Sequence, residues 1–295
     1  MVTMLRSKLI KLYHELDYFS NIVFATFKLR HANSIEYSLI QKNKRFRNIH
    51  KGNRCFILGN GPSVKDVNLE LLQNEIVFTV NQAARMPKFD ALKTNYHFWA
   101  DPLFFKKVDD GGSEELIDIM KKVRTDENNP EVFIPIEQLD FVEDHRLSDC
   151  LKISYFKTKI QFYDGFNHNI DFSRVGPAYC TVVQWCISMA IYMGFTEIYL
   201  LGCDNTSLLV TLKSALKQND ENDYAYHVTD NEKNRMEKLL DYSSIETYTQ
   251  SYLNSIRQYR YLMQYCKKRN IKLVNCSSTT VLDCIPRMSL EEVLK

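Results

Sequence analysis

Two stretches of the chain bring together residue types able to do chemistry. In the first, Arg54-Cys55-Phe56-Ile57-Leu58-Gly59-Asn60-Gly61-Pro62-Ser63, a short apolar run ends in a glycine turn followed by a hydroxyl. The run 55–58 predicts a buried strand. Gly59 and Gly61 let a ligand approach the backbone, Ser63 suits the cap of a following helix, and Asp66 suits its first turn. Strand, glycine turn and helix start make a place where a phosphate can meet free N–H groups. From the glycines alone, a tight turn that binds nothing reads equally well. The second stretch is Tyr224-Ala225-Tyr226-His227, two aromatic hydroxyls beside an imidazole able to act as a general base near neutral pH.

The elements that position these residues follow from hydrophobic patterning. Strands are predicted at 55–58, 76–80, 97–100, 132–134, 151–153, 198–201 and 271–274, with helices at 65–73, 113–123, 178–193, 244–269 and 289–294. This alternation indicates an α/β fold, Rossmann-like, with a mainly parallel sheet and flanking helices. Ligands of such sheets bind beyond the carboxyl ends of the strands. Small polar residues stand at those ends: Gly59-Asn60-Gly61, Asn81, Asp101, Asp204, and Asn275 with Ser277. As a set they outline the rim of a ligand crevice. The pattern lapses over about 205–243, a polar insertion that reads as a lid and contains Tyr224, Tyr226 and His227.

Residues 1–50 form a distinct amphipathic, basic helical segment ahead of a nucleotide-binding domain over 51–295. Leu5, Leu9, Leu12, Leu16, Phe19 and Val23 recur at four- and three-residue steps, one continuous helical seam. Three uses fit it: packing on its own domain, pairing with a partner helix or a second copy, and lying on a membrane surface with Lys8, Lys11, Lys28 and Arg30 near head groups. The first fifty-one residues hold Arg6, Lys8, Lys11, Lys28, Arg30, Lys42, Lys44, Arg45, Arg47 and Lys51 against Glu15, Asp17 and Glu36. The net charge of the whole chain is only +2, which gives no case for nucleic acid. The eight cysteines form no Cys-x-x-Cys pair and read as small buried hydrophobes in a reducing compartment. No secretory signal is evident, and the apolar run 178–195 reads as a core helix because Thr181, Gln184 and Ser188 interrupt it.

At this point the chain resembles a known family. Phe56-Ile57-Leu58-Gly59-Asn60-Gly61-Pro62-Ser63-Val64 resembles the opening strand and nucleotide loop of the bacterial sialyltransferases of glycosyltransferase family 42. It is also similar to a related group that includes the archaeal 6-hydroxymethylpterin diphosphokinase-like proteins and the flagellin-glycosylation proteins. Val80-Asn81-Gln82, Trp99-Ala100-Asp101-Pro102-Leu103-Phe104-Phe105, Arg174-Val175-Gly176, Gly194-Phe195-Thr196-Glu197-Ile198-Tyr199-Leu200-Leu201-Gly202-Cys203-Asp204 and Asn275-Cys276-Ser277 extend the likeness in order over roughly 53–285, with Asp101 replacing an asparagine.

The resemblance implies a metal-independent, inverting glycosyltransferase using a nucleotide-sugar donor. The donor would be a CMP-sugar such as CMP-sialic acid or a related nonulosonic acid, used in bacterial surface polysaccharide or lipopolysaccharide biosynthesis. Gly59, Asn60, Gly61, Pro62, Ser63, Asn81, Asp101, Asp204, Asn275 and Ser277 would bind donor, Arg174 would position donor or acceptor, and His227 would take the acceptor proton. No metal or other cofactor is implied. The partners would be the donor and a glycan or lipid-linked glycan acceptor, met in the cytoplasm or peripherally on the inner face of the cytoplasmic membrane. One departure stands out: where the family has two phosphate-binding tyrosines after Asp204, this chain has Asn205-Thr206-Ser207-Leu208, leaving Tyr224 or Tyr226 to serve. Two rival readings are a Mg-dependent diphosphokinase-like enzyme with Asp101 and Asp204 as ligands, and a non-catalytic nucleotide-binding scaffold of a glycan assembly complex.

Overall fold

The computed structural model describes residues 2–32, 34–106, 111–216, 223–239 and 244–295. The acidic run 219–222 of the insertion lies outside them. Seven strands form one parallel sheet: β1 (Arg54–Leu58), β2 (Val77–Val80), β3 (Thr94–Phe98), β4 (Glu131–Pro135), β5 (Lys152–Phe156), β8 (Glu197–Leu201) and β9 (Lys272–Asn275). Their order is β5-β4-β3-β2-β1-β8-β9. The chain starts in the middle, winds outward to β5, and returns to β8 on the other side of β1. The order reverses between β1 and β8, and that switch point is where a parallel sheet opens a crevice. A short parallel pair, β6 (Thr158–Gln161) with β7 (Gly176–Ala178), sits apart.

The side-chain alternation of the strands sorts the core. Cys55 and Ile57 of β1, Phe78 and Val80 of β2, and Ile198 and Leu200 of β8 pack on one face. Phe56 and Leu58, Val77, and Tyr199 and Leu201 pack on the other. The helices are α1 (Val2–Tyr18), α2 (Phe24–His31), α3 (Ile35–Gln41), α4 (Gly111–Lys121), α5 (Leu139–Asp144), α6 (Val182–Met193), α7 (Ser207–Ala215), α8 (Asp230–Leu239), α9 (Ile245–Lys268) and α10 (Leu290–Leu294). The two best specified, α6 and α9, cover the first face with Ile187, Met189, Leu262 and Cys266. α6 carries a capping box between Thr181 and Gln184, and Ser244 caps α9.

The structure differs from the sequence reading in several places. The predicted helix 65–73 is two 3₁₀ turns, Pro62–Asp66 and Leu69–Leu72. Residues 178–180 precede α6, because Ala178 closes β7. The lid insertion folds into α7 and α8 where it is described. The N-terminal seam is broken at a π-helical turn, Phe19–Val23, and its two faces differ in fate. Tyr18 and Ile22 are buried in the core, His14 stacks on Tyr163 with centroids 4.1 Å apart, and Tyr18 stacks on His168 at 3.5 Å. Of the seam itself, Leu9, Leu12, Leu16 and Phe19 are exposed, while Val23 packs partly buried against the core. Among the described residues no helix is long and apolar enough to cross a membrane.

Candidate active site

A cleft of about 510 Å³ opens at the switch point, over the carboxyl ends of β1, β2, β3 and β8. Its floor is built by three asparagines that follow strands: Asn60 two residues after β1, Asn81 directly after β2, and Asn205 four residues after β8. Asn81 and Asn205 both adopt left-handed backbone, φ 48° and 56°, a conformation asparagine tolerates well. Asn60 donates from Nδ2 to the Val80 carbonyl at 3.2 Å, which fixes its amide plane. The Asn60 Oδ1, Asn81 Oδ1 and Asn205 Nδ2 atoms are buried and find no hydrogen-bond partner among the described residues. Three such groups lining one cleft offer two acceptors and a donor at a fixed place.

The glycine loop does not present its N–H groups as the sequence suggests. Gly59 donates to the Leu201 carbonyl at 2.8 Å and Gly61 to that of Gly202 at 2.9 Å. The glycines are required by packing: a Cβ on Gly59 would lie 2.5 Å from the Gly202 oxygen, and one on Gly61 2.6 Å from Asp204 Cγ. Ser63 donates its N–H to Asp204 Oδ2 at 2.9 Å and its hydroxyl to Oδ1. The anion held at this turn is thus the chain's own carboxylate. Pro62 begins the 3₁₀ turn behind it. Asp204 is buried and does not line the cleft; burial pushes its carboxyl above the usual range, opposed by the Ser63 bonds.

Other expected residues also play internal roles. Asn275 donates to the Cys203 carbonyl at 3.3 Å and to Thr280 Oγ1 at 3.0 Å, while the Ser277 hydroxyl accepts from Cys203 N at 2.8 Å. Both lie behind the cleft, holding the β8 and β9 ends together. Arg174 lies away from it, donating to the Tyr18 hydroxyl at 2.9 Å and anchoring α1. His227 is exposed and does not line the cleft. Its neighbours Tyr226 and Val228 line the cleft while its own side chain is exposed.

The cleft's roof comes from the insertion. Ala225 donates to the Asn60 carbonyl at 3.0 Å, and the Tyr224 and Tyr226 rings stack 5.6 Å apart over the loop. Behind them lies a buried ionic cluster that the sequence reading missed. Arg235 donates to Glu232 through Nε at 2.7 Å and Nη2 at 2.8 Å, to the Leu103 carbonyl at 3.0 Å, and lies over the Phe104 ring. Glu232 in turn accepts from Gln82 at 2.7 Å. Arg85 bonds Gln82 and Glu115, and the Thr229 hydroxyl donates to Glu115 at 2.9 Å. In sequence 205–243 reads as a polar insertion with no helix at α8, and only the tertiary contact shows why Arg235 is fully buried. Asn205 had a faint signal: it follows a strand end, as Asn60 and Asn81 do.

Asp101, at the end of β3, lines the cleft and caps the next turn by accepting from Leu103 N at 2.9 Å. Burial raises its carboxyl above the usual range, against the lowering pull of the Leu103 N–H and Arg235. The N-terminal ends of α6 and α7 also face the cleft, through Thr181 and Ser207, adding positive dipole ends. The described lining contains Asp101, Asp223 and Glu232 and no Lys, Arg or His.

No protein-family model matches the chain, and no curated protein matches it. Among solved structures it is similar to the sialyltransferase CstII from Campylobacter jejuni in complex with a substrate analogue, cytidine-5'-monophosphate. Identity is 17% and the TM-score 0.44, over 80% of this chain and 85% of that one. It is also similar to the MAf glycosyltransferase from Magnetospirillum magneticum AMB-1, with 13% identity and a TM-score of 0.45, over 86% of this chain and 38% of that one.

Proposed function

We propose that the chain is a glycosyltransferase that binds a nucleotide-sugar donor, a CMP-sugar, in the switch-point cleft and inverts the transferred sugar without a metal. The observation that carries this reading is the trio of unpartnered amide groups, Asn60 Oδ1, Asn81 Oδ1 and Asn205 Nδ2, on the cleft floor. A pyrimidine edge and a ribose present complementary donors and acceptors to such groups. The phosphate charge would be met by the α6 and α7 ends and by the hydroxyls of Thr181, Tyr224 and Tyr226, in place of the family's paired tyrosines. Of the three lining carboxylates, Asp223 is bonded to Lys213 and Glu232 to Arg235, so Asp101 is the one that would take the acceptor's proton as that oxygen attacks the anomeric carbon. His227 would take this role only after a rotation of the lid segment. The rival metal-dependent phosphoryl transfer would use Asp101 and Asp204 together, but Asp204 is held by Ser63 outside the lining.

The test is thermal stability with CMP, CDP, UMP, UDP, GDP and ATP, each with and without Mg²⁺. We expect CMP alone to stabilise, by about 2.7 kcal/mol at a hundred times its Kd, with Asn60→Ala abolishing the shift. Stabilisation by ATP only with Mg²⁺ overturns the donor assignment, and no shift with any nucleotide overturns the nucleotide-binding reading itself, leaving a scaffold without nucleotide.

We further propose that α1 and α2 lie on an anionic membrane surface. Leu9, Leu12, Leu16, Phe19, Phe24 and Phe27 are exposed, and Lys28, Arg30 and His31 share the α2 surface with the two phenylalanines. α2 carries no acid, so a second copy set against it would meet like charge. Flotation with phosphatidylglycerol vesicles is expected to carry the protein and phosphatidylcholine vesicles to leave it behind. Equal behaviour on the two refutes the charge argument.

A further inference from the structure

A second and larger groove, about 1230 Å³, runs between α1 and α9. One wall is a stripe of α9: Gln250, Asn254, Arg257 and Tyr261 stand at i, i+4, i+7 and i+11, which places them on one helical face. The opposite wall is Gln161 and Tyr163 at the end of β6, with Ile10 and His14 of α1 above them. The floor is Gln258, buried, whose Nε2 donates to Gln161 Oε1 at 2.8 Å and whose Oε1 accepts from Cys180 N at 2.7 Å. Cys180 is exposed and lines both this groove and the cleft of the preceding site, so the two cavities meet there.

We propose that this groove binds the acceptor as a neutral oligosaccharide of several units, with its terminal sugar delivered past Cys180 into the cleft; the assignment of this glycan as acceptor rests on the transferase reading. The chemistry of the walls matches a sugar chain. Hydroxyls both donate and accept; Gln250 Nε2 donates to Asn254 Oδ1 at 3.1 Å and Gln161 Oε1 accepts from Gln258, so the groove offers a sugar Gln250 Oε1 as acceptor and Asn254 Nδ2 and Gln161 Nε2 as donors. Sugar rings have apolar C–H faces that pack on an aromatic ring such as that of Tyr261, the Tyr163 ring being buried and stacked on His14. Asp164 and Glu246 against Arg257 leave the described walls one net negative charge, which gives an anionic ligand no attraction and suits a neutral one. The volume is more than twice that of the cleft and exceeds the roughly 300–1,000 Å³ of ordinary small-ligand sites, which fits several sugar units.

Saturation-transfer NMR on the full chain with CMP present, using free N-acetyllactosamine oligomers of two, four and six sugar units, tests this. The signal is expected to strengthen at least tenfold from two to six units and to fall at least tenfold in Asn254→Ala/Arg257→Ala. Both residues are exposed, and thermal stabilisation by CMP is expected to be unchanged in that variant. Binding of the six-unit oligomer unaltered in the variant overturns the proposal, as does absence of any oligomer signal from a wild-type chain that CMP stabilises. If no nucleotide stabilises the chain while the oligomers still bind through Asn254 and Arg257, the transferase reading fails and the groove stands as a glycan site. If the oligomers bind only when carried on a lipid in vesicles, the proposal of a site for free glycan is overturned in favour of one needing the membrane.

Discussion

Ser63 and Asp204 close on each other across the ends of β1 and β8, backbone N–H to Oδ2 at 2.9 Å and hydroxyl to Oδ1. This pair holds the glycine loop where Asn60 can face the cleft. Asp204→Ala leaves both Ser63 donors buried without an acceptor, and we expect it to cost about 2–3 kcal/mol. Ser63→Ala removes one bond and should cost about 1 kcal/mol. Urea denaturation measures both, and an Asp204→Ala chain as stable as the wild type would refute the structural role.

Gly59→Ala should be as damaging as loss of that pair. Its Cβ would press on the Gly202 backbone, which cannot give way as a flexible side chain would. A loss of about 1–3 kcal/mol is expected, with weaker nucleotide binding because the loop must shift. Stability retained together with normal CMP binding would show that the two strand ends can part.

Arg235→Met strands Glu232 as a buried charge beside Gln82. We expect about 3–5 kcal/mol of local destabilisation, read as faster amide exchange across α8. Glu232→Gln combined with Arg235→Met should recover part of it, because no charge then remains unpaired. Exchange rates equal in both variants would count against the pair as the clasp of the lid.

Asp101 makes a pH-dependent statement about the ligand. Its raised carboxyl range means that protonation on acidification removes a negative charge from the lining. The affinity for an anionic nucleotide should therefore rise as pH falls, and Asp101→Asn should bind CMP about three- to tenfold tighter at neutral pH with that part of the pH dependence gone. Its transfer rate should fall about a hundredfold or more if Asp101 is the base. Calorimetric titration at several pH values and a rate profile separate the two effects.

His97 lies fully buried beneath the cleft, its Nδ1 2.7 Å from Thr79 Oγ1, and burial lowers its pKa from 6.5 to about 3. A lowered histidine binds fewer protons folded than unfolded. Its contribution is complete above about 6.5 and is lost as pH falls toward about 3, at up to roughly 1.4 kcal/mol per pH unit. Denaturation midpoints between pH 4 and 7 should be flatter in His97→Asn than in the wild type.

Much of the fold was legible in the sequence because its strands are buried on both faces and so read as unbroken apolar runs, as 55–58 and 198–201 do. α9 was legible from its amphipathic length and its cap. The turns after β1 were not, because Leu69 and Leu72 sit three apart in a helix and in a 3₁₀ turn alike. β6 and β7 were hidden by their shortness and by Gly176-Pro177. Of the strand-end residues singled out in sequence, Asn60, Asn81 and Asp101 line the cleft while Asp204, Asn275 and Ser277 do not, and only the register of β1 against β8 reveals that the loop's donors are already used. That His227 is exposed while Tyr226 and Val228 line the cleft is a tertiary outcome that no spacing gives.

The contact from Ala225 to the Asn60 carbonyl joins the roof of the cleft to its floor by backbone alone, and α8 is clasped behind it. On the donor reading proposed above, an occupant held beneath Tyr224 and Tyr226 is expected to exchange as this bridge parts. Turnover would count openings of the roof rather than chemical events, and would slow as solvent viscosity rises. A spent nucleotide would leave slowly enough to be caught on the protein.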